Sequence, residues 1–248
     1  MSYVIAVSGK GGMGKSTVAA LIIRLLKEKK SGSVLAVDAD PNSNLADLLG
    51  LKAAHTVGGI LDDISSHPEK ISPGMPKDRF IEFQIQSAIE ETEGFDLLTM
   101  GRPEGPGCYC YVNNVLRNIM AKLIKDYDYV VIDNEAGLEH LSRRTTRSCD
   151  TMLVISDPTP VGLKSAQRID TLIKELDIKV RNRLLLINRS EADIADAPGS
   201  IGALEYLGSL PVDEQVFRFS MEARPLLDLE SDAKIINALR KLGDRIWH

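Results

Sequence analysis

Between residues 8 and 17 the chain reads Ser8-Gly9-Lys10-Gly11-Gly12-Met13-Gly14-Lys15-Ser16-Thr17, a glycine-rich turn set between an apolar strand and a helix. Glycines let the backbone curl until successive amide N–H groups point at one anion, and the helix that follows adds roughly half a positive charge at its N-terminus. Phosphate is the anion such a cradle fits. Lys15 is placed to neutralise the β- and γ-phosphates of a nucleoside triphosphate, and the Ser16 hydroxyl to ligate Mg²⁺. The spacing G-x-x-x-x-G-K-S from Gly9 to Ser16 occurs where the motif requires it, after Tyr3-Val4-Ile5-Ala6-Val7 and before Val18-Ala19-Ala20-Leu21-Ile22-Ile23. Nucleotide contacts are expected along the whole turn from Gly9 to Thr17.

Acids stand at the ends of two further apolar runs. Ser33-Val34-Leu35-Ala36-Val37 leads into Asp38-Ala39-Asp40-Pro41-Asn42, and Tyr129-Val130-Val131-Ile132 ends in Asp133. In parallel α/β sheets the carboxyl ends of the strands border the ligand crevice, so carboxylates there have work near a metal ion or an attacking water. Asp133 fits the Walker B pattern of an acid that holds Mg²⁺ through water, and Asp38 is expected to support the same hydration shell.

Cys108 and Cys110 lie in Arg102-Pro103-Glu104-Gly105-Pro106-Gly107-Cys108-Tyr109-Cys110-Tyr111, just before a helix expected from about Val112 to Lys125. Thiols at i and i+2 can turn to one ion, and a helix N-terminus favours the thiolate. Closed soft-metal sites usually want four ligands. A two-fold axis through this loop would supply the other two from a second copy.

The elements that must position these groups are read from hydrophobic pattern. Strands are expected at Tyr3–Val7, Ser33–Val37, Phe95–Gly101, Tyr129–Asp133, Thr151–Ser156 and Arg183–Ile187, with helices at Val18–Lys29, Val112–Lys125 and Val161–Leu176. A further helix starts near Leu138-Glu139-His140, and Ile235, Leu239, Leu242 and Ile246 form one stripe of a last helix. His55 to Lys77 suggests a short helix and loops, and Arg79 to Ile89 leaves strand and helix both open. The fold class that follows is α/β: a doubly wound, mostly parallel sheet with helices on both faces, a P-loop NTPase in a single domain over residues 1–248. Net charge of -5 argues against a surface dominated by nucleic-acid binding. The first strand begins at residue 3 and no apolar run approaches about 18 residues, so a cytoplasmic protein with no stable membrane association is expected. The three cysteines are better suited to metal or redox work than to disulfides.

Lys10 is a second lysine that the plain phosphate loop does not need. The form K-G-G-x-G-K-S resembles the deviant Walker A loop of the MinD, ParA and nitrogenase iron protein group of dimeric ATPases. That resemblance implies nucleotide-dependent homodimerisation, with Lys10 reaching the nucleotide of the partner subunit. It also implies that Asp40 orients or deprotonates the attacking water, that Gly137 in Asn134-Glu135-Ala136-Gly137 directs its amide to the γ-phosphate, and that Asn188 and Pro211 form the base pocket. The string G-R-P-E-G-P-G-C-Y-C-Y closely resembles the CooC-type accessory ATPases of nickel-dependent carbon monoxide dehydrogenase and acetyl-CoA synthase. This further implies a metallochaperone that hydrolyses ATP, binds nickel, or zinc in vitro, through Cys108 and Cys110 at the dimer interface, and serves one of those enzymes as client. Two alternatives stay open: an electron-transfer ATPase with an interfacial iron–sulfur cluster, and a MinD- or ParA-like positioning ATPase. Glu135 reads as a solvent-facing carboxylate, His140 as a structural histidine and Cys149 as a small buried residue.

Overall fold

The computed structural model describes residues 2–40, 44–72, 74–101, 110–135, 148–190 and 200–247, with the backbone alone for residues 110–115. A sheet of nine strands runs through them, in the spatial order β3-β4-β2-β5-β1-β6-β7-β9-β8. These are β1 (Tyr3–Gly9), β2 (Val34–Asp38), β3 (Glu90–Glu91), β4 (Asp96–Thr99), β5 (Tyr129–Asp133), β6 (Ser148–Ser156), β7 (Lys179–Ile187), β8 (Ser200–Ile201) and β9 (Leu204–Ser209). Every pairing is parallel except those of the two-residue edge strands β3 and β8. The helices are α1 (Lys15–Lys29), α2 (Asn44–Leu48), α3 (Val57–Ser66), α4 (Lys77–Ser87), α5 (Cys110–Leu123), α6 (Pro160–Glu175), α7 (Glu214–Met221) and α8 (Lys234–Ile246).

Successive strand residues point to opposite faces, and here both faces are apolar, which is why the central strands read as unbroken hydrophobic runs. Ile5 and Val7 of β1 join Val131, Leu153 and Leu186 in the cluster under α1, α2 and α8. Their neighbours Val4 and Ala6 join Ile132, Val154 and Leu185 in the cluster under α3, α4, α5 and α6. The helix after the phosphate loop is buried along most of its length: Val18 to Ile23 are wholly enclosed. Burial on that scale fixes the start of α1 against the end of β1, and so fixes the loop between them.

Three differences from the sequence reading have local causes. Gly58 and Gly59 lie inside α3, where the Thr56 hydroxyl accepts from the Gly59 N–H at 3.1 Å and the Gly58 N–H donates to the Met100 carbonyl at 2.8 Å. The cap, that tie and the burial of Val57, Leu61 and Ile64 offset the propensity cost of two glycines, about 1 kcal/mol each. Residues 79–89, open between strand and helix, contain α4, with Ile81 and Ile85 buried one turn apart and Phe83 exposed on the other side. Helix α5 begins at Cys110, two residues before the expected start. The sequence reading assigned no element to the hairpin of β8 and β9, the short helix α2 or the helix α7. Of the stripe expected on the last helix, Ile235, Leu239 and Ile246 are buried and Leu242 is partly buried against the same cluster. The expected helix at residues 138–147 lies outside the described residues. Among the described residues no helix is long and apolar enough to cross a membrane.

Leu21 is fully enclosed in α1 and Phe83 stands in solvent on α4. Leu21→Ala is expected to lower the unfolding free energy by about 2–5 kcal/mol, and Phe83→Ala to change it by less than about 0.5 kcal/mol. Urea unfolding followed by circular dichroism checks both; equal midpoints for the two variants would contradict this packing.

Candidate functional site

The phosphate loop leaves β1 at Gly9, where an added Cβ would lie 2.5 Å from the Ile155 carbonyl oxygen of the neighbouring strand β6. It closes on a turn in which the Met13 N–H donates to the Lys10 carbonyl at 3.3 Å, and enters α1 through Gly14 at φ 89°. That angle lies in the left-handed region, and an added Cβ at Gly14 would also lie 2.5 Å from Asn188 Nδ2. No side chain caps α1 and no acid sits in its first turn. The helix therefore offers its first N–H groups and its positive end to an anion.

A cavity of about 440 Å³ opens there, lined by Gly11, Gly12, Gly14, Lys15, Ser16, Thr17, Asp40, Asn44, Glu135 and Arg189. That volume lies within the range of small-ligand sites. Lys15 is buried against it, whereas Lys10 is exposed.

The acids meet because β2 and β5 are adjacent: Asp38 and Asp133 are register partners, and Val7 of β1 pairs with Asp133 from the other side. Both carboxylates are fully buried. Burial, with the charge of Asp133 next in importance, pushes Asp38 up to about 7; hydrogen bonds from the Leu45 and Asp40 amides pull the other way. Those bonds are well formed, Asp40 N–H to Asp38 Oδ1 at 3.1 Å and Leu45 N–H to Oδ2 at 3.0 Å. Asp38 was expected beside the Mg²⁺ shell. The structure also gives it a backbone task, clasping the segment that carries Asp40 to the start of α2.

Asp133 is in a different position. Burial raises it from 3.8 to about 6, while the nearby Ser16 hydroxyl and Lys15 charge favour the anion and Asp40 opposes it. The Ser16 hydroxyl comes near, yet neither carboxylate oxygen of Asp133 has a hydrogen bond of ordinary geometry. An enclosed carboxylate without hydrogen bonds, beside a serine hydroxyl at the phosphate loop, is a hard oxygen donor set that fits Mg²⁺. Asn134, the next residue, ties its amide to the Val7 carbonyl at 2.9 Å and leaves its Oδ1 buried without a partner.

Asn188 ends β7 and holds the loop: its Nδ2 donates to the Met13 carbonyl at 2.8 Å, and its Oδ1 accepts from the Arg189 N–H at 3.0 Å. One Nδ2 proton and one Oδ1 lone pair remain for a base. Pro211 is half-buried next to it, because the Ser190 N–H donates to the Leu210 carbonyl at 3.0 Å. The sequence reading missed Arg189 altogether, and Glu135, read as a solvent-facing carboxylate, lines the cavity. No motif position announces either; only the convergence of strand ends brings them to the loop.

Cys108, Gly137 and His140 lie outside the described residues, as does the side chain of Cys110, whose backbone opens α5. β4, which precedes the two cysteines in the chain, is parallel to β2 and ends at the same end of the sheet as Asp38 and Asp40. Cys149 is buried, and that burial pushes its thiol up to about 12, which makes it inert. Among the described residues no group of three or more His, Cys, Asp or Glu could hold a metal ion.

Residues 2–186 match the family of AAA domains. The chain belongs to that family. This AAA-domain chain is also 41% identical to an uncharacterized ATP-binding protein of Methanocaldococcus jannaschii, over 98% of both chains. It is 28% identical to the carbon monoxide dehydrogenase accessory protein CooC of Rhodospirillum rubrum, over 86% of this chain and 84% of that one. Among solved structures it is similar to the septum site-determining protein MinD of Pyrococcus horikoshii complexed with Mg-ADP. The TM-score is 0.72 and the identity 23%, over 99% of this chain and 96% of that one. The AAA-domain chain thus has the MinD/ParA P-loop fold and is an ATP-binding P-loop ATPase.

The elevated acid at Asp133 has a consequence for stability. An unfolded chain releases this proton near pH 3.8 and the native state only near 6, so native stability falls as pH rises between about 4 and about 6. In protein free of Mg²⁺ and nucleotide, Asp133→Asn is expected to remove that part of the slope and, because the Asp133 charge also helps raise Asp38, to shrink the part that Asp38 contributes. Urea unfolding at a series of pH values checks this, and an unchanged slope in the variant excludes it.

Proposed function

We propose that this ATPase is a metallochaperone: ATP and Mg²⁺ draw two copies together, the paired thiols of both hold one soft metal ion as cargo, and hydrolysis loosens that clamp. The cargo is nickel, or zinc in vitro, and the client is a nickel-containing carbon monoxide dehydrogenase or acetyl-CoA synthase. The observation that carries this reading is the C-x-C pair of Cys108 and Cys110 in a chain related over most of its length to a carbon monoxide dehydrogenase accessory protein. The whole chain would act as one ATPase domain, with no role for nucleic acid. An interfacial iron–sulfur cluster would draw a cysteine from the segment after Asp133, and Asp133 to Leu141 contains none.

Bound Mg²⁺ would neutralise charge on the phosphates, with Ser16 and Asp133 as its protein partners and Asp38 behind them. Backbone N–H groups from Gly9 to Thr17 hold the phosphate chain, and Lys15 offsets charge on the β- and γ-oxygens. Asp40 orients water for in-line attack and takes up its proton as the new oxygen–phosphorus bond forms and the bond to the ADP oxygen breaks. Gly137 directs its amide to the γ-phosphate, Asn188 and Pro211 border the base, and Lys10 crosses to the partner's nucleotide. The exposure of Lys10 supports that crossing. So does the order of strands: the Asp38–Asp40 segment follows β2, between the thiol loop after β4 and the phosphate loop after β1. A coupling of about 1.4 kcal/mol between nucleotide state and clamp would change metal affinity tenfold, and metal would change dimerisation reciprocally.

Lys15→Ala is expected to abolish ATP hydrolysis, and Asp40→Ala to bind ATP while slowing turnover by about 100-fold or more, the range of a lost general base. Phosphate release assays check both, and wild-type turnover by Asp40→Ala would remove it from the mechanism. Cys108→Ser or Cys110→Ser should lower the nickel or zinc bound per dimer while leaving ATP affinity unchanged. Metal analysis alongside light scattering tests the clamp; unaltered stoichiometry in both serine variants rejects it.

A further inference from the structure

The cavity beside the phosphate loop has a cation on its wall that the loop motif does not supply. Arg189 is the second residue after β7, and its φ of 59° is in the left-handed region that side chains rarely adopt. The strain is held from two sides. Its N–H donates to Asn188 Oδ1, the same amide that grips the Met13 carbonyl, and the next residue, Ser190, is tied to the Leu210 carbonyl. The guanidinium makes no hydrogen bond or ion pair among the described residues, and Arg189 lines the cavity together with Gly14, Lys15 and Ser16. A cation placed by a strained, braced backbone, with no partner for its guanidinium among the described residues, has a ligand as its natural one.

The sheet order says which part of the ligand that is. Asp38, Asp40 and Asp133 stand at the ends of β2 and β5, on one side of β1, so the terminal phosphate faces that side. A nucleotide with its phosphates on Gly11 to Thr17 must carry its base to the other side, over the ends of β6, β7 and β9. Arg189 lies two strands from β1 in that direction, a lateral distance of roughly 10 Å at the usual strand spacing. Phosphate charge is already met by Lys15 and the uncapped start of α1. A planar guanidinium suits a flat aromatic surface, which an ammonium group does not.

We infer that Arg189 lies against one face of the nucleobase of bound ATP or ADP and so sets nucleotide affinity from the base side. The inference rests on the cavity being the ATP site.

Equilibrium binding of ATP, ADP and inorganic tripolyphosphate to the full chain, with Mg²⁺, tests it. Arg189→Ala is expected to weaken ATP and ADP about fivefold, the size of one cation–ring contact, and to leave tripolyphosphate affinity unchanged. Arg189→Lys, which keeps the charge and loses the plane, should recover little of the loss. Equal weakening of tripolyphosphate would place the guanidinium on phosphate and overturn the inference, as would wild-type ATP affinity in Arg189→Ala. Failure of the wild-type chain to bind either nucleotide would instead remove the ATP site on which the inference stands.

Discussion

Two carboxylates locked side by side in the dry end of a parallel sheet set the terms for everything around them. Asp38 and Asp133 are register partners on β2 and β5 with no exposure to solvent. In that setting burial and mutual repulsion both resist ionisation, so positive charge must be brought to them. The chain supplies some through Lys15 and the uncapped start of α1. The remainder is what a divalent cation carries, and the lack of hydrogen bonds at Asp133 leaves its oxygens for one. Nucleotide, metal ion and acids therefore stabilise one another, and each is a poor guest without the rest.

The two acids divide the work. Asp38 spends an oxygen on each of two backbone amides and so fixes the path from β2 into α2, with Asp40 held between. Asp133 keeps its oxygens open. The same division recurs on the far side of the phosphate loop, where Asn188 grips the Met13 carbonyl and braces Arg189. The loop is thus clasped by one polar side chain from β7 and faced by acids from β2 and β5. On the β2 side the neighbouring strand is β4, which precedes the paired cysteines in the chain. Short hydrogen bonds and close packing, rather than any long-range device, connect these segments.

The phosphate loop, its flanking strand and helix, and the acids at strand ends were legible in the residues, because their chemistry depends on local order: glycine spacing, an apolar run, an acid where the run stops. The central strands were legible for the same reason, as unbroken apolar runs that end in polar residues. The short helix expected between His55 and Lys77 could not be bounded from sequence, because Gly58 and Gly59 speak against a helix where the Thr56 cap and the Met100 carbonyl hold its first turn. β8 and β9 were silent because their pairing, rather than their own pattern, makes them regular.

The linear chain determined the fold class, the phosphate cradle and the donor types around it, since each follows from residues adjacent in order or repeating at a fixed period. Tertiary structure alone decided that Asp38 binds backbone while Asp133 stays open, that Asn188 clasps the loop, and that Glu135 and Arg189 line the cavity. Those outcomes depend on which strands lie side by side and where their ends converge. Strand order is a property of the assembled sheet, which no local spacing encodes.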